Sequence, residues 1–264
     1  MFLERLSYPE VSVYLKTSQA LLLPLGSLEN HGIHMPLGTD TLIPQHLSRL
    51  VDEMNPGLLI APALPYGATD DLCGFPGTVS LGVEGLRMVL EKLLDQFFDY
   101  GFRRFLILNG HGGNIKSVET VGLHLYRRGA LLACLNWWLI AGELNPEWKG
   151  GHGGAEETAA VMAVDPSLVQ PDRMGPEGMR NDLSDELPSY SWTKVLFHGA
   201  GVTVPRPVRA ITDNGWLAHG MGEDDPKRAT PEMGQAMLET TARYIVDFAE
   251  AFSRAALPKE DADI

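Results

Sequence analysis

Cysteine is scarce in this chain of 264 residues: Cys73 and Cys134 are the whole supply, and they form no CxxC pair. So few thiols exclude a disulfide framework and match the usage of a reducing compartment. Basic residues are short too, with 21 Lys and Arg against 34 Asp and Glu, for a formal net charge of −13. Nucleic acid and anionic membranes repel such a chain, so neither is an expected partner. No apolar run approaches the ~20 residues that span a bilayer. The opening Met1-Phe2-Leu3-Glu4-Arg5 lacks the basic-then-apolar layout of a signal peptide. The expected location is the cytoplasm.

What is present is a well-supplied core: hydrophobic residues make up 44% of the chain, enough for a two-sided interior. With no internal repeat or low-complexity linker, the expectation is one domain over residues 1–264. Ser7-Tyr8-Pro9-Glu10 reads as a capping box opening a short helix. Ala20 to Leu25 is wholly apolar, as a strand buried on both faces would be. Thr39 or Asp40 is the expected cap of a helix running to about Met54. Leu58 to Leu64 is a second apolar run, which Pro62 marks as an edge strand or an early stop. A helix from Val83 to Tyr100 is stopped by Gly101, and Arg104–Asn109 is a third strand. Helix 114–128, strand 130–136, a loop rich in Trp and Gly, helix 155–164 and a closing helix 231–255 complete the pattern. Residues 166–209 read as loop with short strands, and the tail after Pro258 as polar and frayed. The alternation implies an α/β class: a layered α/β/α arrangement around a mostly parallel sheet.

In such a sheet the loops after the strands share one edge, where ligands bind. The loop after the first strand carries Glu29, His31, His34 and Asp40. The loop after the third carries Asn109-Gly110-His111-Gly112-Gly113-Asn114, and the chain after the fourth leads to Gly151-His152-Gly153-Gly154-Ala155-Glu156-Glu157. Carboxylate and imidazole together are the ligands that Zn²⁺ and Mn²⁺ accept. Glu29 and His31, two apart, share a face of an extended segment. Asp40 can offer one oxygen to each of two ions. The glycines at 110, 112 and 113 are expected to let the backbone turn sharply so that His111 points inward. Glu157 shares a helical stripe with Ala160, Val161 and Val164 and is taken as the inward carboxylate. Glu156, beside Ala159, Ala160 and Ala163, is the alternative. Read alone, Asp40 is an ordinary helix cap, and the His111 turn could cradle phosphate at a helix N-terminus. Ser27 lacks a G-x-S-x-G elbow, which argues against a serine hydrolase.

Leu23 to Asp40 (LPLGSLENHGIHMPLGTD) resembles the opening signature of the creatininase (creatinine amidohydrolase) family. Phe75-Pro76-Gly77-Thr78, the Asn109–Asn114 loop and the His152–Thr158 segment are similar to later family motifs in the same order. The resemblance implies a two-metal centre of Zn and/or Mn, or Fe, that hydrolyses a C–N bond of a small amide, cyclic or formyl among them. It assigns Glu29, His31, Asp40 and His111 to the metals, with Asp40 bridging. It adds Glu157 as a further ligand and catalytic carboxylate, and His152 as the proton carrier. Trp148 and Thr78 are its substrate-binding candidates. It also implies a homo-oligomer, commonly a hexamer. Where creatininase itself carries Tyr and Glu, this chain has Gly112 and Gly113, and Leu72 replaces a frequent His, which points away from creatinine. Other branches deformylate a formylaminopyrimidine nucleotide or trim a peptide. The expected chemistry is attack on a polarised amide by a water activated between two ions. The competing expectations are a metal phosphoesterase and a non-catalytic phosphate-binding module.

Overall fold

The structure, a computed structural model, describes residues 1–174, 179–180, 182–191, 193–216 and 225–259. Three parallel strands, β1 (Ala20–Leu25), β2 (Arg104–Asn109) and β3 (Leu131–Asn136), pair in that order, Leu25 opposite Asn109 and Asn109 opposite Asn136. Pleating sends alternate side chains to opposite faces. Leu22, Leu106 and Leu108 enter one core with helices α2 (Thr39–Met54), α5 (Trp137–Leu144), α6 (Ala155–Val164) and α8 (Pro231–Ser253). Leu21, Leu23, Phe105 and Ile107 enter a second core with α1 (Tyr8–Tyr14), α3 (Gly82–Tyr100) and α4 (Ile115–Arg127). A sheet with a helical layer on each face is the α/β/α arrangement that the run of apolar strands requires.

The capping box at Ser7 is present, Glu10 accepting from both the Ser7 hydroxyl and its backbone N–H. Of four further features, two agree with expectation and two, the cap of α2 and the segment after β3, depart from it. The Leu58–Leu64 run joins the free edge of β1 only through isolated parallel bridges at Ile60 and Leu64, because Pro62 has no N–H to continue a ladder. Gly38, not Thr39 or Asp40, sits at the N-cap of α2, which leaves the Asp40 side chain for other partners. The segment after β3 is helical at α5, where Trp137 is buried and the sequence suggested loop. Within the stretch 166–209, β4 (Ser189–Ser191), β5 (Lys194–Phe197) and β6 (Ala200–Thr203) form a small antiparallel sheet. A short α7 (Val208–Ile211) follows. Positions 175–178, 181 and 192 of that stretch, and the polar tail from 260 onward, lie outside the described residues. Among the described residues no helix is long and apolar enough to cross a membrane.

Candidate metal centre

The chain after β1 turns over the carboxyl edge of the sheet and is pinned by backbone bonds from Glu29 N to Leu37 O and from Val79 N to Leu28 O. That carries Glu29 and His31 beneath the start of α2, where Asp40 lies in the first turn. All three are buried. Asp40 divides its oxygens: Oδ1 is 3.0 Å from His31 Nε2 and Oδ2 is 3.2 Å from His111 Nδ1. Ser27 Oγ lies 2.7 Å from Asp40 Oδ2 and 2.8 Å from Glu29 Oε2. Glu29 Oε1 has no hydrogen-bond partner, yet three imidazole nitrogens surround it, of His111 at 3.0 Å, His152 at 3.6 Å and His31 at 4.0 Å. Glu157 Oε2 reaches His31 Nε2 at 3.7 Å and accepts from Gly153 N at 2.7 Å.

Each of these imidazoles has its other nitrogen at a backbone carbonyl: His31 Nδ1 at Glu29 O (3.2 Å), His111 Nε2 at Ala68 O (3.0 Å) and His152 Nε2 at Asn30 O (2.6 Å). A carbonyl only accepts, so that nitrogen carries a proton, and the nitrogen turned to the carboxylates must either take up a second proton or meet a metal cation. Lone pairs against carboxylate oxygens repel unless a cation stands between them. Metal-ligating histidines are oriented in this way by their second nitrogen. Groups whose ligand atoms could share one ion are Glu29–Asp40–His111, His31–Asp40–Glu157 and Glu29–His31–His152. The residues therefore fit divalent metal.

The electrostatics agree. Burial alone would lower His31, but the charges of Asp40, Glu157 and Glu29 outweigh it and push it up to about 10. His111 is likewise raised against burial by Glu29 and Asp40, while Asp40 is held well below its ordinary value by His31 and His111 despite burial. Burial, with Asp40 and Glu29 nearby, lifts Glu157 to about 7 against the pull of His31. The cluster thus draws positive charge. His152 is the exception: burial and the charge of His31 hold it well below its ordinary value, so it is neutral. Its ring stacks on His31 with centroids 4.2 Å apart.

A cavity of about 390 Å³ opens beside the cluster, lined by Asp40, His111, His152 and Glu157 together with Asp71, Trp138, Glu156, Ser191 and five glycines. Neither Trp148 nor Thr78 lines it. Trp148 packs against the core on the α5 side, and the Thr78 hydroxyl accepts from Asn30 N, bracing the loop after β1. Trp138, in the stretch whose composition suggests a loop rich in Trp and Gly, faces the cavity because α5 turns its partner Trp137 into the core. His34 stands apart from the carboxylates, with Nε2 3.3 Å from Thr158 Oγ1, and burial lowers it to about 4. Glu156 and Glu157 both line the cavity, but it is Glu157 that shares a cluster with His31 and Asp40. Ser27, which lacks a nucleophile elbow, is the link between two carboxylates. Its place two residues before Glu29, on the same face of an extended segment, was the available signal.

The glycines act differently from expectation. None of Gly110, Gly112 and Gly113 has a positive φ. A Cβ on Gly110 would lie 2.0 Å from Asp40 O, and one on Gly113 would lie 2.1 Å from Ala68 O and 2.5 Å from His111 Nε2. Close approach, not a sharp turn, demands Gly110 and Gly113, while a Cβ on Gly112 would meet only Trp138 at 4.0 Å. The Glu that creatininase carries at the second position has no room here.

Comparison with known proteins places the chain. The creatininase (creatinine amidohydrolase) profile matches residues 4–249. A mycofactocin precursor peptide peptidase of Mycobacterium tuberculosis is 35% identical over 245 residues, 87% of this chain and 85% of its own. The creatinine amidohydrolase of Pseudomonas putida is 32% identical over 176 residues, 58% of this chain and 67% of its own. A manganese form of creatininase superposes with TM-score 0.73 at 26% identity, covering 96% of this chain and 99% of that one. A Zn–Zn form of a creatininase mutant gives the same score and identity, covering 96% and 98%. The chain belongs to the creatininase family, whose members are hydrolases acting on C–N amide bonds.

Proposed function

We propose that this member of the creatininase family is a two-metal amidohydrolase. Glu29, Asp40 and His111 would hold one ion, His31, Asp40 and Glu157 the other, with Asp40 shared. One observation carries the reading: the buried His31 and His111 and the partly buried His152 each spend one nitrogen on a backbone carbonyl and turn the other on the same carboxylates. When bound, a pair of Zn²⁺ or Mn²⁺ ions supplies an activated water and polarises the scissile carbonyl. Zn and Mn are the metals of the creatininase structures that this fold resembles.

The remaining work falls to the chain. His152, neutral and fixed through Nε2 to Asn30 O, presents Nδ1 at the cavity side of Glu29. There it takes a proton as the carbonyl is attacked and returns it to the leaving nitrogen. Trp138 offers an apolar wall, and the glycines leave room for substrate backbone. The wide relationship to the mycobacterial peptidases and a cavity of about 390 Å³ favour an amide carried on a peptide or a molecule of that size over a single small ring. Among the described residues that line the cavity there is no Lys or Arg, and the residues outside the description include none either. That composition disfavours the phosphoesterase and phosphate-binding alternatives, as phosphate sites recruit guanidinium or ammonium groups. We read the chain as one domain working in a homo-oligomer, the hexamer of the family resemblance.

Metal analysis with a substrate panel tests this. About two Zn or Mn per chain are expected, with peptide or other amide hydrolysis lost to chelator and restored by metal. Metal-free protein that turns over amides, or metal-loaded protein active only on phosphate esters, would overturn it.

A further inference from the structure

The Ala68 carbonyl decides which nitrogen of His111 faces Glu29 and Asp40, so whatever fixes the Ala68 peptide also governs the cluster. That group is the carboxamide of Asn114, fully buried at the head of α4. Its Oδ1 accepts from Ala68 N at 2.9 Å, and its Nδ2 donates to Gly26 O and to Asn109 Oδ1, both at 3.1 Å. One acceptor and two donors meet one N–H and two oxygens, so the amide fits in a single orientation. Through it the end of β1, the end of β2 and the loop at Ala68 are fastened at one point. Asn109 continues the network, with Nδ2 donating to His111 O and to Asn136 Oδ1 at 2.8 Å each. Gly113 leaves space for the Ala68 O to His111 Nε2 contact that a Cβ would close.

We propose that Asn114 is a positioning residue for the His111 side of the metal cluster, holding the Ala68 peptide so that its carbonyl fixes the His111 tautomer. The proposal rests on the reading that Glu29, Asp40 and His111 hold an ion. The Asn114 carboxamide does not line the cavity and acts through Ala68, Asn109 and Gly26.

The test compares Asn114→Ala with Ser117→Ala, which removes another side-chain hydrogen bond of α4, from Ser117 Oγ to Val83 O, and leaves the bond from Ala68 N to Asn114 in place. Histidine ring ¹⁵N NMR on metal-free protein, at a pH high enough for His111 to shed its second proton, reads the tautomer, and Zn²⁺ titration against a chromophoric chelator reads each ion's affinity. Asn114→Ala is expected to lose the single Nε2–H form of His111 and to loosen one ion by about 10–100-fold, the usual effect of losing such an outer partner. The second ion and the Ser117→Ala protein should bind as wild type does. Asn114→Asp keeps the acceptor for Ala68 N and should keep the tautomer even if Asn114→Ala folds poorly. An unchanged tautomer with both affinities intact, or equal loosening of both ions in Asn114→Ala and Ser117→Ala, would overturn the proposal. Wild type that binds no Zn²⁺, with Asn114→Ala still changing the His111 tautomer, would instead sink the metal reading and leave the positioning role standing.

Discussion

Glu29 Oε1 is a buried carboxylate oxygen with three imidazole nitrogens within 4.0 Å and no hydrogen bond of its own. Glu29→Ala removes the ligand common to two of the three candidate clusters, so both bound metal and turnover should vanish together. His152→Gln separates the roles: kcat should fall by about 10²–10⁴-fold, the usual contribution of a positioned proton carrier. Metal content, measured by atomic emission, should stay at the wild-type level. A His152 variant stripped of metal would make that residue a ligand instead. The glycines give a sharper contrast. Gly113→Ala forces a Cβ onto Ala68 O and His111 and should cost about 1–3 kcal/mol, seen in chemical denaturation, with metal lost. Gly112→Ala, whose Cβ would meet only Trp138 at 4.0 Å, should leave stability near wild type.

Among the elements, α6 is the one whose placement matters most, because Glu157 rides on it. It packs on α8 so closely that a Cβ on Gly234 would lie 1.9 Å from Ala159 O. Such an approach suits small residues, and α6 supplies a row of alanines to meet it. Gly234→Ala should therefore push the two helices apart, cost about 1–3 kcal/mol, and lower kcat although residue 234 is remote from the cavity. The check is thermal unfolding together with steady-state kinetics; an unaltered Tm would show that the pair has slack. The strands behave differently. The burial of β1 and β2 on both faces is satisfied by two independent cores, so the sheet is a rigid base from which only the loops at its carboxyl edge have to be steered.

For the whole molecule, the cluster is a concentration of buried like charge that folding tolerates only with a compensating cation. Metal that binds the folded chain alone adds stability by mass action, about 4 kcal/mol at a free concentration a thousand times the Kd. Stripping it with chelator should lower Tm by roughly 10 °C for a chain of this size, and re-addition of Zn²⁺ or Mn²⁺ should restore it. A Tm indifferent to chelator would argue that histidine protonation, not metal, balances the carboxylates.

The strands, the long helices and their order were legible in the sequence because burial on two faces and a 3.6-residue period leave direct traces in residue type. The segment from Glu29 to Asp40 was legible as ligand chemistry for the same reason, since the residue types themselves are the signal. Tertiary structure alone decided the rest. Only the fold could show that Ser27 links two carboxylates, that α5 aims Trp138 rather than Trp148 at the cavity, and that Gly113 is there for the Ala68 carbonyl. These depend on which backbone atoms of distant segments approach one another, and a chain written in one dimension carries no record of such distances.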